Sequence, residues 1–432
     1  MADRTGRQPA PSRAEDVSSL HQALRHIRPS RTEALLCDLI DIFSPSLQEH
    51  EIIAYCQKHL LKSGVESQLI PVGETRRFNL LARTGPEPIG LLLLGHVDTV
   101  QKWHQREFRH RRDGDLIMGL GSADMKSGCA AMMEAFIALH QQQILQTSQM
   151  PETTGQRPRA IALALVVGEE SSGDGSTALM EHLQAQGEQP QVAVIGEPTR
   201  LNLCYRHFGY LEVLLTTHGK RAHAALPERG DNAIDAMMQL LGGLRAPMSP
   251  LSQIPGNLLE SLVFNVREMR GGGEAFVVPE YCEAVLDVHF PPDVTLQSVK
   301  GLLHARMRRE RERLPRHRCH MHQKFGSDGY TLTPESDALR YLQWAQQSVG
   351  AMPLPIPEEP EIQQGVFRSH SDGNVLWAQG TRPVVVGPGD LHTAHTLHER
   401  VSVQELHQAT QLYVALGIRY WRAEDTSHGN SV

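Results

Sequence analysis

The sequence predicts an α/β fold: a mixed, mostly parallel sheet flanked by helices, with a ferredoxin-like α+β domain inserted into it. Two observations predict the sheet. The runs at 89–95, 160–167 and 192–195 are continuously apolar, as strands buried on both faces are, and helical stretches separate them. Each run also ends in glycine followed by reactive side chains: Gly95-His96-Val97-Asp98, Gly168-Glu169-Glu170 and Gly196-Glu197. In open α/β sheets ligands bind at that C-terminal edge. A third observation predicts the insertion. Over 207–326 the pattern reads strand, helix, two strands, helix, strand, which is the order of a split βαβ sandwich.

Length and composition agree. At 432 residues the chain exceeds one ordinary domain, and its 40% hydrophobic content can fill sizeable cores. The first domain is expected over 1–206 and 327–432, with 207–326 as the insertion. A formal charge of −7 argues against nucleic acid or anionic membrane as partners. Residues 1–30 lack the apolar core of a signal peptide, and no run reaches the length of a membrane span. The six cysteines are far apart and form no Cys-x-x-Cys, so reduced thiols are expected. Together these predict a soluble cytoplasmic protein.

Taken in order, residues 1–30 read as a loose polar end, and 31–43 as a helix through Leu35, Leu36, Leu39 and Ile40. Ser46 and Glu49 have capping-box spacing for a second helix ending at Gly64. Strands at 78–83 and 89–95 precede a small-residue helix over 129–145, and 146–158 is a polar loop. A helix at 176–186 separates the second and third apolar strands. In the insertion, 210–217 alternates with Leu211, Val213 and Leu215 inward. Helix 231–244 presents Ile234, Met237, Met238 and Leu241, and strands are expected at 261–268 and 276–290. Helix 295–313, with Val299, Leu302, Leu303 and Met307 inward, leads to a strand at 318–325. The α/β pattern then resumes with helix 335–348, a Pro- and Glu-rich loop at 353–361, strand 383–387 and a last helix over 402–420.

The strand ends and the late loop together supply His96, Asp124, Glu169, Glu170, Glu197 and His395. Any one of these is unremarkable as a solvated turn residue; their co-occurrence is what points to a site. Imidazoles and carboxylates without thiolate suit zinc, cobalt or manganese. The set is more acidic than one catalytic zinc needs, whereas two divalent ions sharing a bridging carboxylate would use it fully. His96 and Asp98, two apart on a strand, emerge on one side, so the carboxylate can take the second imidazole N–H and fix the ring. Of the adjacent Glu169 and Glu170, one can coordinate while the other serves as general base.

The stretches LLLLGHVDTV, GLGSADMKSGCAAMMEA, VVGEESSGDGS, VIGEPT, GKRAHAALPERGDNAI and GPGDLHTAHTLHE, in this order, resemble a known family. It is the dinuclear-zinc amidohydrolase and peptidase family of acetylornithine deacetylase, succinyl-diaminopimelate desuccinylase, aminoacylase and glutamate carboxypeptidase. HFGY at 207–210 and GPGD lean toward the acetylornithine deacetylase branch. The resemblance implies that Asp124 bridges two metals, with His96 and Glu197 completing one site and Glu170 and His395 the other. It implies that Asp98 orients His96, that Glu169 is the acid/base, and that the peptide after Asp124 is cis. It further implies that the insertion is a lid that dimerises, and that His223 reaches the partner subunit's site to stabilise the oxyanion.

The function so implied is hydrolysis of an amide bond in an N-acyl amino acid or similar small substrate by a homodimer, with water activated by two metals and Glu169. A dipeptidase or carboxypeptidase of the same family is the alternative within that chemistry. A catalytically idle, metal-bound ligand-binding dimer is the alternative outside it, and retention of Glu169 and His223 argues against it. Two departures concern substrate. Family members often carry Arg where this chain has His289, and Asn where it has Phe276. His289 would then present an imidazolium to the substrate carboxylate, with Arg206, His207 or Arg267 as other candidates.

Overall fold

The computed structural model describes residues 13–73, 76–101, 109–147, 159–245, 262–351 and 365–427. The loop read at 353–361 lies outside them, as do residues 148–158 of the loop read at 146–158, whose first two residues instead end helix Lys126–Thr147, and residues 1–12 of the loose end. The chain divides into two compact units: 1–205 with 332–365 and 371–432, and 206–331 with 366–370.

The first unit is built on a six-stranded sheet in the order Ser67–Val72, Arg77–Arg83, Ala160–Val166, Ile89–His96, Val192–Ile195, Arg382–Val385. The last four run parallel, and the first two form an antiparallel margin. Every residue of the three central strands is buried, so helices cover both faces, as the unbroken apolar runs predict. Helix Lys126–Thr147 packs against Ile89–His96, and helix Val403–Ser427 packs against it in turn. Gly128 explains how closely the helix can approach: a Cβ there would lie 2.1 Å from the carbonyl oxygen of Gly196, at the end of a neighbouring strand. Only glycine fits.

Three sequence expectations need correction here. Residues 13–24 are not loose: they form helix Arg13–Leu24, whose Leu20 and Ala23 are buried against the last helix. The periodicity through Val17, Leu20 and Leu24 is hidden by a polar surround. Ser46 and Glu49 make no capping box for helix His50–Lys62. Glu49, 1% exposed, accepts instead from Arg77 at 2.9 and 3.1 Å, while Ser46 Oγ donates to Asp98 at 2.7 Å. A buried guanidinium outcompetes the local cap because leaving it unpaired would cost more. Met238 on helix Ala233–Arg245 is exposed, and Leu240 and Leu244 take the inward positions.

The second unit holds a four-stranded antiparallel sheet in the order Val263–Gly271, Tyr281–Phe290, Gly209–His218, Arg318–Ser327. Helices Ala233–Arg245 and Leu296–Arg313 pack on one face, over Leu211, Val213, Leu215, Leu286, Val288 and Phe290. Strict alternation of buried and half-buried residues along Gly209–His218 sets this register. This is the ferredoxin-like arrangement. The unit also takes in Val366–His370, which the sequence reading assigned to the first domain: strand Val366–Phe367 pairs in parallel with Arg206–His207.

Candidate active site

Five segments of the first unit converge at the C-terminal edge of its sheet. Strand Ile89–His96 ends in His96, and a turn that opens helix Lys126–Thr147 supplies Asp124. The loops after Ala160–Val166 and Val192–Ile195 supply Glu169, Glu170 and Glu197. The loop before strand Arg400–Ser402 supplies His395. The Asp124–Met125 peptide is cis, as expected.

Asp124 sits in the middle with its two oxygens divided. Its Oδ1 lies 3.2 Å from His96 Nε2, and its Oδ2 lies 3.3 Å from His395 Nε2. Around the first imidazole, Glu197 Oε1 stands at 3.7 Å and Glu169 Oε2 at 4.0 Å. Around the second, Glu170 Oε1 stands at 2.8 Å. One ligand atom each from His96, Asp124 and Glu170 can be chosen so that all lie within 4.8 Å of one another.

The ring of His96 is held differently from the sequence expectation. Its Nδ1 lies 3.1 Å from the backbone carbonyl oxygen of Asp98, while the Asp98 carboxylate is 3.6 Å away. That carboxylate accepts instead from Ser46 Oγ and from the backbone N–H groups of Glu169 and Glu170, at 3.2 and 3.1 Å. Asp98 therefore fixes the acidic turn as well as lying beside the imidazole. Glu399, which the sequence reading passed over, accepts from the backbone N–H groups of Ala123 and Asp124, both at 3.0 Å. Asp372 is likewise new: it is 1% exposed, and burial with the nearby charge of Glu169 pushes it up to about 7. No spacing in the sequence ties it to the strand ends.

The electrostatics explain what such a cluster needs. Burial followed by repulsion from Asp124 pushes Glu170 up to about 7. Burial pushes Glu169 to about 7 as well, with Asp124 and Asp98 adding to it. Glu197 is raised well above the usual carboxylate range by burial and Asp124. Burial opposes charge on Asp124 too, but hydrogen bonds from His395 and His96 hold it below that range. Burial would discharge His395, yet Asp124 and Glu170 push it up to about 11. An imidazole nitrogen and a carboxylate oxygen 2.8–3.3 Å apart repel unless a proton or a cation lies between them. A set of oxygen and imidazole donors with this excess of negative charge fits divalent metal ions.

The candidate substrate residues lie in the second unit. His289 is mostly enclosed, packed against Tyr210 at 5.0 Å between ring centroids. Burial and the neighbouring His370 bring it down to about 4, against a smaller opposing effect of Asp287. The expected imidazolium is thus corrected: at neutral pH His289 is uncharged. Asp287 is committed elsewhere, accepting from Tyr210 Oη at 2.8 Å and pairing with Arg267 at 3.4 Å. Arg267 also pairs with Glu212 at 2.9 Å, and Arg206 with Asp293 at 2.7 Å. His207 is fully buried, stacked on Tyr330, and burial pulls it down to about 3. His223 lies in an exposed loop bridged to Val277, and its Nδ1 accepts from the Ala225 N–H at 3.1 Å. The adjoining Phe276 has φ +61° and is 77% exposed. That left-handed conformation suits Asn and costs a bulky residue about 1–3 kcal/mol.

Comparison with known proteins agrees with this geometry. The family model for peptidase family M20/M25/M40 matches residues 92–418. The chain belongs to that family. An acetylornithine deacetylase of Photorhabdus laumondii is 30% identical over 264 residues, 59% of this chain and 64% of that protein. The match therefore spans under two thirds of that relative's length. Among solved structures, human carnosine dipeptidase 1 has a TM-score of 0.69 at 13% identity, covering 93% of this chain and 99% of that one. A Bacillus subtilis protein described as a dinuclear metal binding peptidase of the M20 family gives 0.61 at 14% identity, covering 90% and 97%. At such identities the structures establish the fold alone. The lean toward the deacetylase branch accords with the sequence relatives.

Proposed function

We propose that this chain is a metal-dependent amide hydrolase that removes an acyl group from an N-acyl amino acid or a similar small substrate. The observation that carries the reading is the divided Asp124, with one oxygen facing His96 and the other facing His395. That is the disposition a carboxylate shared by two metal ions requires. His96 and Glu197 would hold one ion and Glu170 and His395 the other, with zinc the first candidate and cobalt or manganese the alternatives. When bound, the pair of ions would polarise the scissile carbonyl and make water more acidic.

The chain's own groups supply the rest. Glu169 lies 4.0 Å from His96 Nε2, beside the shared carboxylate's imidazole, where it would take a proton from the attacking water and return it to the leaving nitrogen. Because the Nδ1 of His223 accepts a hydrogen bond, the neutral ring carries its proton on Nε2. That is the donor needed to stabilise an oxyanion. The second unit serves as lid and dimerisation domain in this reading, and a homodimer brings His223 to the partner's site. Its outer strand Val263–Gly271 exposes Val263 and Met269, and helix Ala233–Arg245, packed against it, exposes Met238. None of the six cysteines is in a disulfide, which suits the cytoplasm, and no helix among the described residues is long and apolar enough to cross a membrane.

The test is release of free amine from a panel of N-acetyl and N-succinyl amino acids, dipeptides and amidated amino acids, with and without chelator. Chelator-sensitive turnover of the acylated substrates is expected. Preference for dipeptides would favour the peptidase alternative. Metal binding with no turnover of any member would make the protein a binder.

A further inference from the structure

Glu399 is 2% exposed. Its Oε1 receives two backbone N–H groups, from Ala123 and Asp124, each at 3.0 Å. Four positions before it in the same loop is His395, whose Nε2 faces the Asp124 carboxylate. Immediately after it, strand Arg400–Ser402 pairs with Leu116–Met118, the strand that leads into the Asp124 turn. Gly119 N–H also donates to the Glu399 carbonyl oxygen at 3.2 Å. One short segment thus grips Asp124 from both ends: His395 at the carboxylate, Glu399 at the backbone.

We propose that Glu399 is a positioning residue for metal binding, aiming the Asp124 carboxylate between the two imidazoles by clamping the Ala123 and Asp124 amides. The inference rests on the metal-site reading above. Two N–H groups converging on one buried oxygen fix both the position and the rotation of the peptide that carries Asp124. Without that acceptor, the turn must move to find other partners, and the two oxygens lose their division. Supporting groups behind metal ligands commonly alter affinity by about 10–100-fold when removed.

The experiment is equilibrium binding of cobalt(II) to the metal-free full chain, by calorimetry and by the visible absorption of the bound ion. Glu399→Ala should weaken binding about 10–100-fold and change the spectrum. Glu399→Gln keeps an oxygen acceptor for both amides and should restore affinity to within about threefold, with the wild-type spectrum. Val414→Ala, which opens a cavity on the buried side of the last helix without removing a polar group, controls for general loosening and should leave affinity unchanged. Should Glu399→Ala not fold, Glu399→Asp carries the test, because the shorter arm withdraws the oxygen from both amides. Wild-type affinity in Glu399→Ala or Glu399→Asp, or a loss in Glu399→Gln equal to that in Glu399→Ala, overturns the proposal. Wild-type protein that binds no cobalt, zinc or manganese would overturn the metal-site reading with it.

Discussion

Glu169 and Glu170 are neighbours with one backbone bond between them, yet the site uses them differently. Glu170 is engaged with His395 at 2.8 Å, whereas Glu169 stands at the fringe of His96 at 4.0 Å. Glu169→Gln should therefore retain metal and lose about 10²–10⁴ in kcat, the usual cost of a missing general base. Metal content and kcat measured on the same sample check this, and loss of metal would reassign Glu169 as a ligand. His289 yields a second expectation of the same grain. Its value near 4 leaves it neutral from pH 6 to 8, so KM should show no climb in that window from loss of a charge there. Arg206 and Arg267 are already paired with acids, so no candidate cation named from the sequence is left uncommitted for a substrate carboxylate. Amidated substrates should be turned over within about tenfold of their free-acid counterparts. A KM that rises severalfold between pH 6 and 8, and is flattened by His289→Ala, would restore the charged role.

At the scale of elements, the site is a set of strand ends held by backbone amides. Asp98 takes two amides from the Glu169–Glu170 turn, and Glu399 takes two from the Asp124 turn. The price of assembling so many carboxylates is a pH dependence whose sign follows from their proton affinities. Glu169 and Glu170 ionise near 4.5 in the unfolded chain but near 7 when folded without metal. The folded chain thus holds more protons between those values, and stability falls as pH rises through that window. His395 acts in the same direction. Its pairing is fully stabilising below its ordinary 6.5 and is lost as pH climbs toward about 11. The chelated protein should lose several degrees of thermal midpoint between about pH 5 and 8, and saturating divalent ion should flatten the curve; a flat curve in chelator would contradict the assigned burial of charge. The strand ends were legible because buried parallel strands write themselves as unbroken apolar runs with abrupt polar ends. The clamps were not, since an acid that serves backbone amides has no partner in the sequence to betray it. Asp98 shows the limit most plainly: i, i+2 spacing placed it beside His96, but could not say whether its carboxylate or its carbonyl would reach the ring.

At the scale of the molecule, the question is whether one chain completes its own site. The metal-ligand candidates and Glu169 all belong to the first compact unit, whereas His223 belongs to the second, on an exposed loop whose Nε2 carries the proton of the neutral ring. If the lid of one protomer serves the partner's site, two different inactive chains can repair each other. Glu169→Gln lacks the base but keeps His223; His223→Ala lacks the oxyanion donor but keeps Glu169. In a mixed dimer one site receives both intact groups and the other receives neither. Random exchange makes about half of all dimers mixed, so about one site in four should be competent, and activity should recover toward that fraction of wild type. Exchange is verified by native mass spectrometry of the mixed sample, and each variant alone sets the baseline. Recovery that rises with the mixed-dimer fraction places His223 across the interface. Full exchange with activity still at the baseline would mean that His223 serves its own chain or none, and the second unit would then be a lid without a shared catalytic role.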